Sequence, residues 1–231
     1  MTGQSGERAR LTPALLAAAS APYRPAGRFA YHFARGKLGG DPAFGAIMAS
    51  DWIAGGDRII DLGCGQGLLA ALLWAAGCDC RVDGIEMMPA DVDRARVALG
   101  AAIAQRRASF VCADIRRTAF GQADVAVVLD VLHYIDYDDQ RRVLERLRDA
   151  LMPGGLLLLR VGDASAGLPF RIGNWVDRTV TFVRGHRLGR LYCRPLAEWR
   201  AVLCALEFAV RPIPLSQGTP FANVLLEARA K

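Results

Sequence analysis

The sequence predicts an α/β fold: a seven-stranded, mostly parallel sheet with helices on both faces. Three observations carry that expectation. Past residue 55, short apolar runs alternate with helical patterns, the signature of a layered parallel sheet. A glycine-rich turn, Gly63-Cys64-Gly65-Gln66-Gly67, lies where the first apolar run gives way to a helix. Acidic residues, Glu86, Asp114 and Asp130, then follow the ends of the next three apolar runs, where open α/β sheets place their ligands. With 52% hydrophobic and 23% charged residues over 231 positions, the chain can bury a sizeable core, and disordered or coiled-coil classes are excluded.

The elements follow in order. Thr12-Pro13 reads as an N-cap with proline at the first helical position, so Leu11–Ala21 is expected to be a surface helix or a mobile lead-in. Arg8, Arg10 and Ala19-Ser20-Ala21 loosely resemble an export signal, but Glu7 and the broken apolar run argue against one. Residues 1–54 are expected to form an N-terminal helical cap or lid, and residues 55–231 the α/β domain. Arg58–Leu62 is a buried strand, followed by the turn and a helix over Gln66–Ala76. Arg81–Ile85 is the second strand, and Pro89 opens one long helix through Arg107. Phe110–Ala113 and Val125–Leu129 are the third and fourth strands. Asp138–Leu151 is amphipathic, with Val143, Leu144, Leu147 and Leu151 on one face. Gly154-Gly155 ends that helix and leads into the fifth strand, Leu156–Arg160. An insertion over about residues 163–194 precedes a helix near Pro195–Leu206 and two last strands, Phe208–Leu215 and Ala222–Ala228. An insertion of that length is usually functional or carries its own helix.

Charge and cysteine usage narrow the function. The net charge is +6, yet of 29 basic side chains only Lys37 and Lys231 are lysines. That skew reflects genome base composition or a surface that steers anions. The six cysteines form no Cys-x-x-Cys pair and the histidines at 32, 133 and 186 stand apart, so no metal site is expected. Free thiols fit a reducing cytoplasm better than a disulfide framework. The longest apolar stretch, about Leu68–Ala76, is far below the ~18–20 residues of a membrane span.

The chemistry is concentrated around the turn. Glycines at 63, 65 and 67 permit positive φ and a close approach of backbone to ligand. The helix that follows presents free N–H groups and a partial positive charge. Glu86, nineteen residues after Gly67, is placed to accept both hydroxyls of a ribose. Asp114, within Cys112-Ala113-Asp114-Ile115, suits an adenine amino group, and Asp130 precedes His133 and Tyr134.

Asp61-x-Gly63-x-Gly65-x-Gly67, the acid ending strand two and Ala113-Asp114-Ile115 resemble class I S-adenosylmethionine-dependent methyltransferases, from about Arg58 to Arg160. The resemblance implies their Rossmann-like seven-stranded sheet, with 55–231 as the methyltransferase domain, S-adenosylmethionine as cofactor and S-adenosylhomocysteine as product. It also implies roles for individual residues. Asp61, Gly63, Cys64, Gly65 and Gly67 would meet the methionine part, Glu86 the ribose, and Met87 and Ile115 the two faces of the adenine. Asp114 would reach the adenine amino group, and the Leu129 carbonyl would lie beside the amino-acid end. Two alternatives belong to other classes. An NAD(P)-dependent oxidoreductase is disfavoured because Gly-x-Gly-x-Gly is one residue shorter than the dinucleotide fingerprint. No lysine stands four positions after a tyrosine to complete a hydride-transfer pair. A non-catalytic cofactor-binding protein is the other alternative.

The acceptor is expected to be a small molecule. Asp130-Val131-Leu132-His133-Tyr134 lacks the prolines of amino-directed nucleic-acid methyltransferases and resembles the Leu-His-aromatic stretch of small-molecule enzymes. No aromatic-interleaved basic stripe points to nucleic acid. For O- or C-methylation His133 is the candidate general base, the alternative being that it lines the pocket. Residues Tyr23–Leu38 are rich in aromatic and basic side chains. Tyr31 is a candidate lid residue there, Phe29 and Phe33 the apolar face of a helix packed on the sheet. Lys37 is a candidate point charge for the cofactor carboxylate. Tyr134 and Trp175 are candidate acceptor contacts. The stretch from Gly27 to Leu38 and the terminal Gly218–Leu226 are similar to methyltransferases of bacterial aryl-polyene pigment pathways. That resemblance implies an aromatic or polyene acceptor, which a carrier protein could hold. Independently of it, the insertion at about 163–194 reads as a lid-like amphipathic helix whose arginines between Arg171 and Arg194 either dock an acidic carrier or the acceptor's carboxylate, or form a solvated cover. Oligomeric state is not legible.

Overall fold

The computed structural model describes residues 10–164, 191–215 and 223–231. Seven strands form one sheet in the order β3-β2-β1-β4-β5-β7-β6: β1 Arg58–Leu62, β2 Arg81–Glu86, β3 Ala108–Cys112, β4 Ala123–Leu129, β5 Leu151–Gly162, β6 Phe208–Pro214 and β7 Asn223–Ala230. The α/β class and the mostly parallel sheet expected from the sequence are what the structure shows. The chain divides into two compact units, described residues up to Ala119 with Ala123–Val125, and Phe120–Gln122 with Ala126–Lys231. The division falls in β4, and the N-terminal helices share a unit with β1–β3.

In the first unit, β1 and β2 run parallel with Leu62 opposite Ile85, and β2 and β3 run parallel with Glu86 opposite Cys112. That register brings the turn after β1 level with the acid ending β2. Among the described residues three α-helices precede the sheet: α1 Pro13–Ser20, α2 Arg28–Gly40 and α3 Pro42–Met48. Thr12 caps α1 through its hydroxyl, which accepts from Leu15 N at 3.2 Å. α1 packs on α4, Leu68–Ala75, a helix buried almost throughout.

Two sequence expectations are corrected in this unit. The buried stripe of α2 is Ala30, Ala34 and Leu38, whereas Phe29 is 58% exposed and stacks on Phe33 at 5.9 Å. Small residues at i, i+4 let α2 lie close to its neighbours, which the bulkier phenylalanine face cannot do. The long helix from Pro89 is interrupted: α5 ends at Ala98, Leu99 has φ −113°, and α6 is Gly100–Ala104. Gly100, a poor helix former, sits at the break.

In the second unit, β5 pairs antiparallel with β7, and β7 with β6. α7, Tyr137–Ala150, is capped by the Asp136 carboxylate, which accepts from Asp139 N at 2.7 Å, and buries Val143, Leu144 and Leu147. The helix gives way directly to extended backbone at Leu151. Gly154-Gly155 therefore lies within β5 and does not end the helix. Gly154 keeps a positive φ of 76° on an exposed lead-in. α8, Leu196–Ala205, buries Trp199 and Leu203, and its first N–H is capped by Asp163. Trp175, the Arg171–Arg190 stretch and residues 216–222 lie outside the described residues.

Candidate functional site

The site in the first unit is built on the turn between β1 and α4. Gly63, Gly65 and Gly67 adopt φ of 69°, 54° and 74°, backbone that other residues rarely take. Gly67 is needed for a second reason: a Cβ there would fall 2.8 Å from Phe110 and 2.9 Å from Leu99. Gly63 N donates to Ile85 O at 2.8 Å, which pins the turn to β2.

Two acids converge on this turn. Glu86 accepts from Gly65 N at 3.0 Å with one carboxylate oxygen and from Met88 N at 2.9 Å with the other. A carboxylate holds about four lone-pair sites, so each oxygen retains acceptor capacity toward ribose hydroxyls. Asp61, next to last in β1, is 5% exposed, and no hydrogen bond to its carboxylate is seen among the described residues. Burial, then the nearby Glu86, pushes its carboxyl up to about 7. A buried acid without a donor is a site that a cationic ammonium would satisfy. Burial also raises the Cys64 thiol, with Asp61 adding to it, so Cys64 is a neutral packing group and no nucleophile.

Three residues of this site were not picked out from the sequence. Tyr23, fully buried, donates from its hydroxyl to Gln66 O at 2.9 Å, which ties the N-terminal helices to the glycine turn. Gln66 Nε2 in turn donates to Asp91 at 3.1 Å, in the first turn of α5, and Arg94 pairs with the same oxygen at 3.0 Å. The only available signal was negative: polar residues at positions where apolar ones would pack as well.

Other expected residues are placed as follows. Met87 is 62% exposed and Ile115 buried, at the ends of β2 and β3. Asp114 is occupied: Arg116 grips its carboxylate at 2.6 to 3.0 Å and, through those hydrogen bonds, holds it below the usual carboxylate range. Lys37 pairs with Asp41 at 2.8 Å, one turn along α2. Tyr31 meets His32 edge-on at 5.2 Å and lies under Arg24 at 5.2 Å.

The second unit carries a separate polar cluster beyond the carboxyl ends of β4 and β5. Leu129 ends β4, and Asp130 follows with φ 58°, a conformation uncommon outside glycine that clusters at functional positions. Asp130 grips the buried Arg160 through Nε at 2.8 Å and through Nη2. His133 lies in a 3-10 turn, Leu132–Tyr134, with its ring 4.1 Å from the half-exposed Tyr134. Gln140, fully buried, holds that turn by donating to Leu132 O, and it also donates to Tyr192 O. Among the described residues no group of acids, histidines and cysteines could hold a metal.

A sheet of this order, with a glycine turn and an acid at the end of the neighbouring strand, defines the class I S-adenosylmethionine-dependent methyltransferases. Comparison bears this out: residues 59–155 match the family described as a methyltransferase domain. The chain is 33% identical over 126 residues to a carboxy-S-adenosyl-L-methionine synthase of Chromohalobacter salexigens, covering 51% of this chain and 47% of that protein. It thus spans about half the length of the curated relatives it matches. A mitomycin 7-O-methyltransferase superposes with TM-score 0.61 at 27% identity, over 80% of this chain and 52% of that one. The magnesium protoporphyrin IX methyltransferase of Synechocystis, solved with bound S-adenosylhomocysteine, superposes with TM-score 0.60 at 21% identity, over 80% of each chain. Residues 59–155 therefore match a methyltransferase domain, on a sheet ordered as in class I, a family whose cofactor is S-adenosylmethionine.

Proposed function

We propose that the protein transfers a methyl group from S-adenosylmethionine to an oxygen of a small-molecule acceptor. The convergence of Asp61 and Glu86 on the glycine turn carries the reading. The Asp61 carboxylate would take the cofactor's ammonium, Glu86 the ribose hydroxyls, and the N–H groups of the turn the negative end of the amino acid. When bound, the cofactor supplies an electrophilic methyl on a sulfonium. The chain's own residues position the partners, and positioning supplies much of the rate in such transfers. α1–α3, anchored by Tyr23, cap the turn. His133 holds the acceptor's proton as the hydroxyl becomes a nucleophile.

An oxygen acceptor is favoured over carbon by the named O-methyltransferase among the structural neighbours. An aromatic or carrier-bound polyene acceptor remains the narrower proposal, and so does docking of an acidic carrier by the arginine-rich insertion. The oxidoreductase alternative is not favoured, because the family match and the neighbours are methyltransferases. Six free cysteines suit a reducing compartment, the cytoplasm. Among the described residues no helix is long and apolar enough to cross a membrane. The test is a screen of phenolic, carboxylic and polyene acceptors with methyl-labelled cofactor. Label should enter an oxygen-bearing acceptor, and transfer only to carbon would overturn the oxygen assignment.

The curated relatives favour a second reading, formation of a carboxylated S-adenosylmethionine. Mass spectrometry of cofactor carried through purification separates the two. The unmodified cofactor is expected, and a carboxylated one would replace the methyl-transfer reading.

A further inference from the structure

The amino end of β2, in the first unit, carries a pair of thiols that methyl transfer does not use. Cys78 and Cys80 flank Asp79 in the link between α4 and β2. Cys80 is 3% exposed, whereas Cys78 is half-buried. The Cys80 thiol hydrogen-bonds to Cys78, and the Cys78 thiol donates to Ala54 O at 3.5 Å. The two side chains are thus directed toward each other. Residues two apart have Cα atoms no more than about 7 Å apart, close to the ~4.4–6.8 Å that a disulfide spans. Hydrogen bonds fix the backbone on either side. Cys78 N donates to Leu73 O at 3.0 Å, Gly56 N to Asp79 O at 2.7 Å, and Trp74 Nε1 to Cys80 O at 3.0 Å. Arg107 donates to Cys78 O at 3.3 Å and pairs with the exposed Asp79 at 3.4 Å. A partly exposed thiol beside a guanidinium is where oxidants react. Burial first, then Cys78, pushes the Cys80 thiol up to about 12, so Cys80 keeps its proton until a partner sulfur accepts it.

We infer that Cys78 and Cys80 form a reversible oxidation site for hydroperoxides, with Cys78 the attacking thiol and Cys80 the resolving one. Cys78, as thiolate, attacks one peroxide oxygen. The O–O bond breaks, the sulfur is oxidised to a sulfenic acid, and the other oxygen leaves as water or an alcohol after taking a proton from solvent. The Cys80 sulfur then attacks the Cys78 sulfur. The S–O bond breaks, and the departing hydroxide takes the Cys80 proton and leaves as water. The two thiols lose two electrons in forming the disulfide, and the peroxide gains them. A bond closing so short a loop hardly restricts the unfolded chain, so the pair is no structural staple. Its effect is to stop Cys78 short of the sulfinic acid, which thiols do not reverse.

The test exposes the folded, reduced full chain to submillimolar hydrogen peroxide, alkylates the remaining thiols and maps the product by mass spectrometry. Cleavage before aspartates cuts between Cys78 and Asp79, so a disulfide would hold the peptides Asp61–Cys78 and Asp79–Val82 together. Wild type should lose two hydrogens in that linked pair, with fragmentation placing the bond at Cys78 and not at Cys64. Dithiothreitol should restore both thiols. In Cys80→Ser the sulfenic acid has no resolving thiol, so dimedone should label Cys78, and without dimedone Cys78 should gain two oxygens as the sulfinic acid. Wild type should give little label there. Absence of the linked pair from wild type, a bond from Cys64, or equal dimedone labelling of Cys78 in wild type and Cys80→Ser would each overturn the site. If Cys80→Ser does not fold, the linkage map of wild type decides.

Discussion

Asp61 should make the protein less stable as pH rises, and replacing it should undo that loss. Its carboxyl ionises at about 7 in the folded chain, against 3.8 for the unperturbed group, because of burial first and Glu86 second. Between those values the folded state keeps a proton that the unfolded state has released, so stability falls with rising pH across the window and levels off above 7. At ~1.36 kcal/mol per tenfold change, ionised Asp61 opposes folding by roughly 4 kcal/mol at pH 8 and by roughly 1.5–2 kcal/mol at pH 5. Asp61→Asn keeps the shape and removes the titration. Its stability relative to wild type should therefore improve by roughly 2–3 kcal/mol between pH 5 and pH 8. Urea denaturation of both proteins at pH 5, 6, 7 and 8 reads this directly. Any fixed effect of the amide on hydrogen bonding cancels in the comparison, as does every titrating group that does not interact with Asp61. A difference between variant and wild type that stays constant with pH, or that grows toward pH 5, would refute the assignment of a buried, raised carboxyl. The same variant should bind S-adenosylhomocysteine more weakly. A buried carboxylate that opposes folding is what a binding site, and not a structural core, would retain.

Two further outcomes are expected. Tyr23→Phe removes the hydroxyl that donates to Gln66 O and leaves a buried carbonyl short of a partner. It should cost about 1–3 kcal/mol in denaturation and loosen cofactor binding, and unchanged stability would show that the anchor is idle. His133→Ala should lower turnover by ~10²-fold or more with cofactor affinity nearly unchanged; an unaltered rate would return His133 to the pocket wall.

The sheet was legible because its signals are local. Arg58–Leu62 and Val125–Leu129 are apolar runs bounded by turn residues, and Asp61 to Gly67 fixes where strand becomes helix. Elements were misjudged where a tertiary requirement overrode the local pattern. α2 presents Phe29 outward because close packing selects Ala30 and Ala34, a preference that hydrophobicity alone does not rank. The helix after Pro89 breaks at Gly100, and the residue before it, Leu99, is buried, so periodicity ran through the break unnoticed. The site divides in the same way. Glu86 was found because it ends a strand next to the turn. Tyr23, Gln66 and Asp91 were missed because their link joins residues up to 43 positions apart and leaves no spacing to read. Asp114 was legible as an acid ending a strand, but its engagement by Arg116 depends on a rotamer, which sequence does not carry.

The central claim is that the glycine turn and its two acids hold the adenosyl cofactor, and calorimetric titration of wild type and Glu86→Ala with S-adenosylhomocysteine tests it most directly. One site per chain is expected for wild type. Loss of the two ribose contacts should weaken binding by about 2 kcal/mol, near thirtyfold, at ~1 kcal/mol per hydrogen bond. Absence of binding to wild type, or equal affinity in the two proteins, would contradict the account.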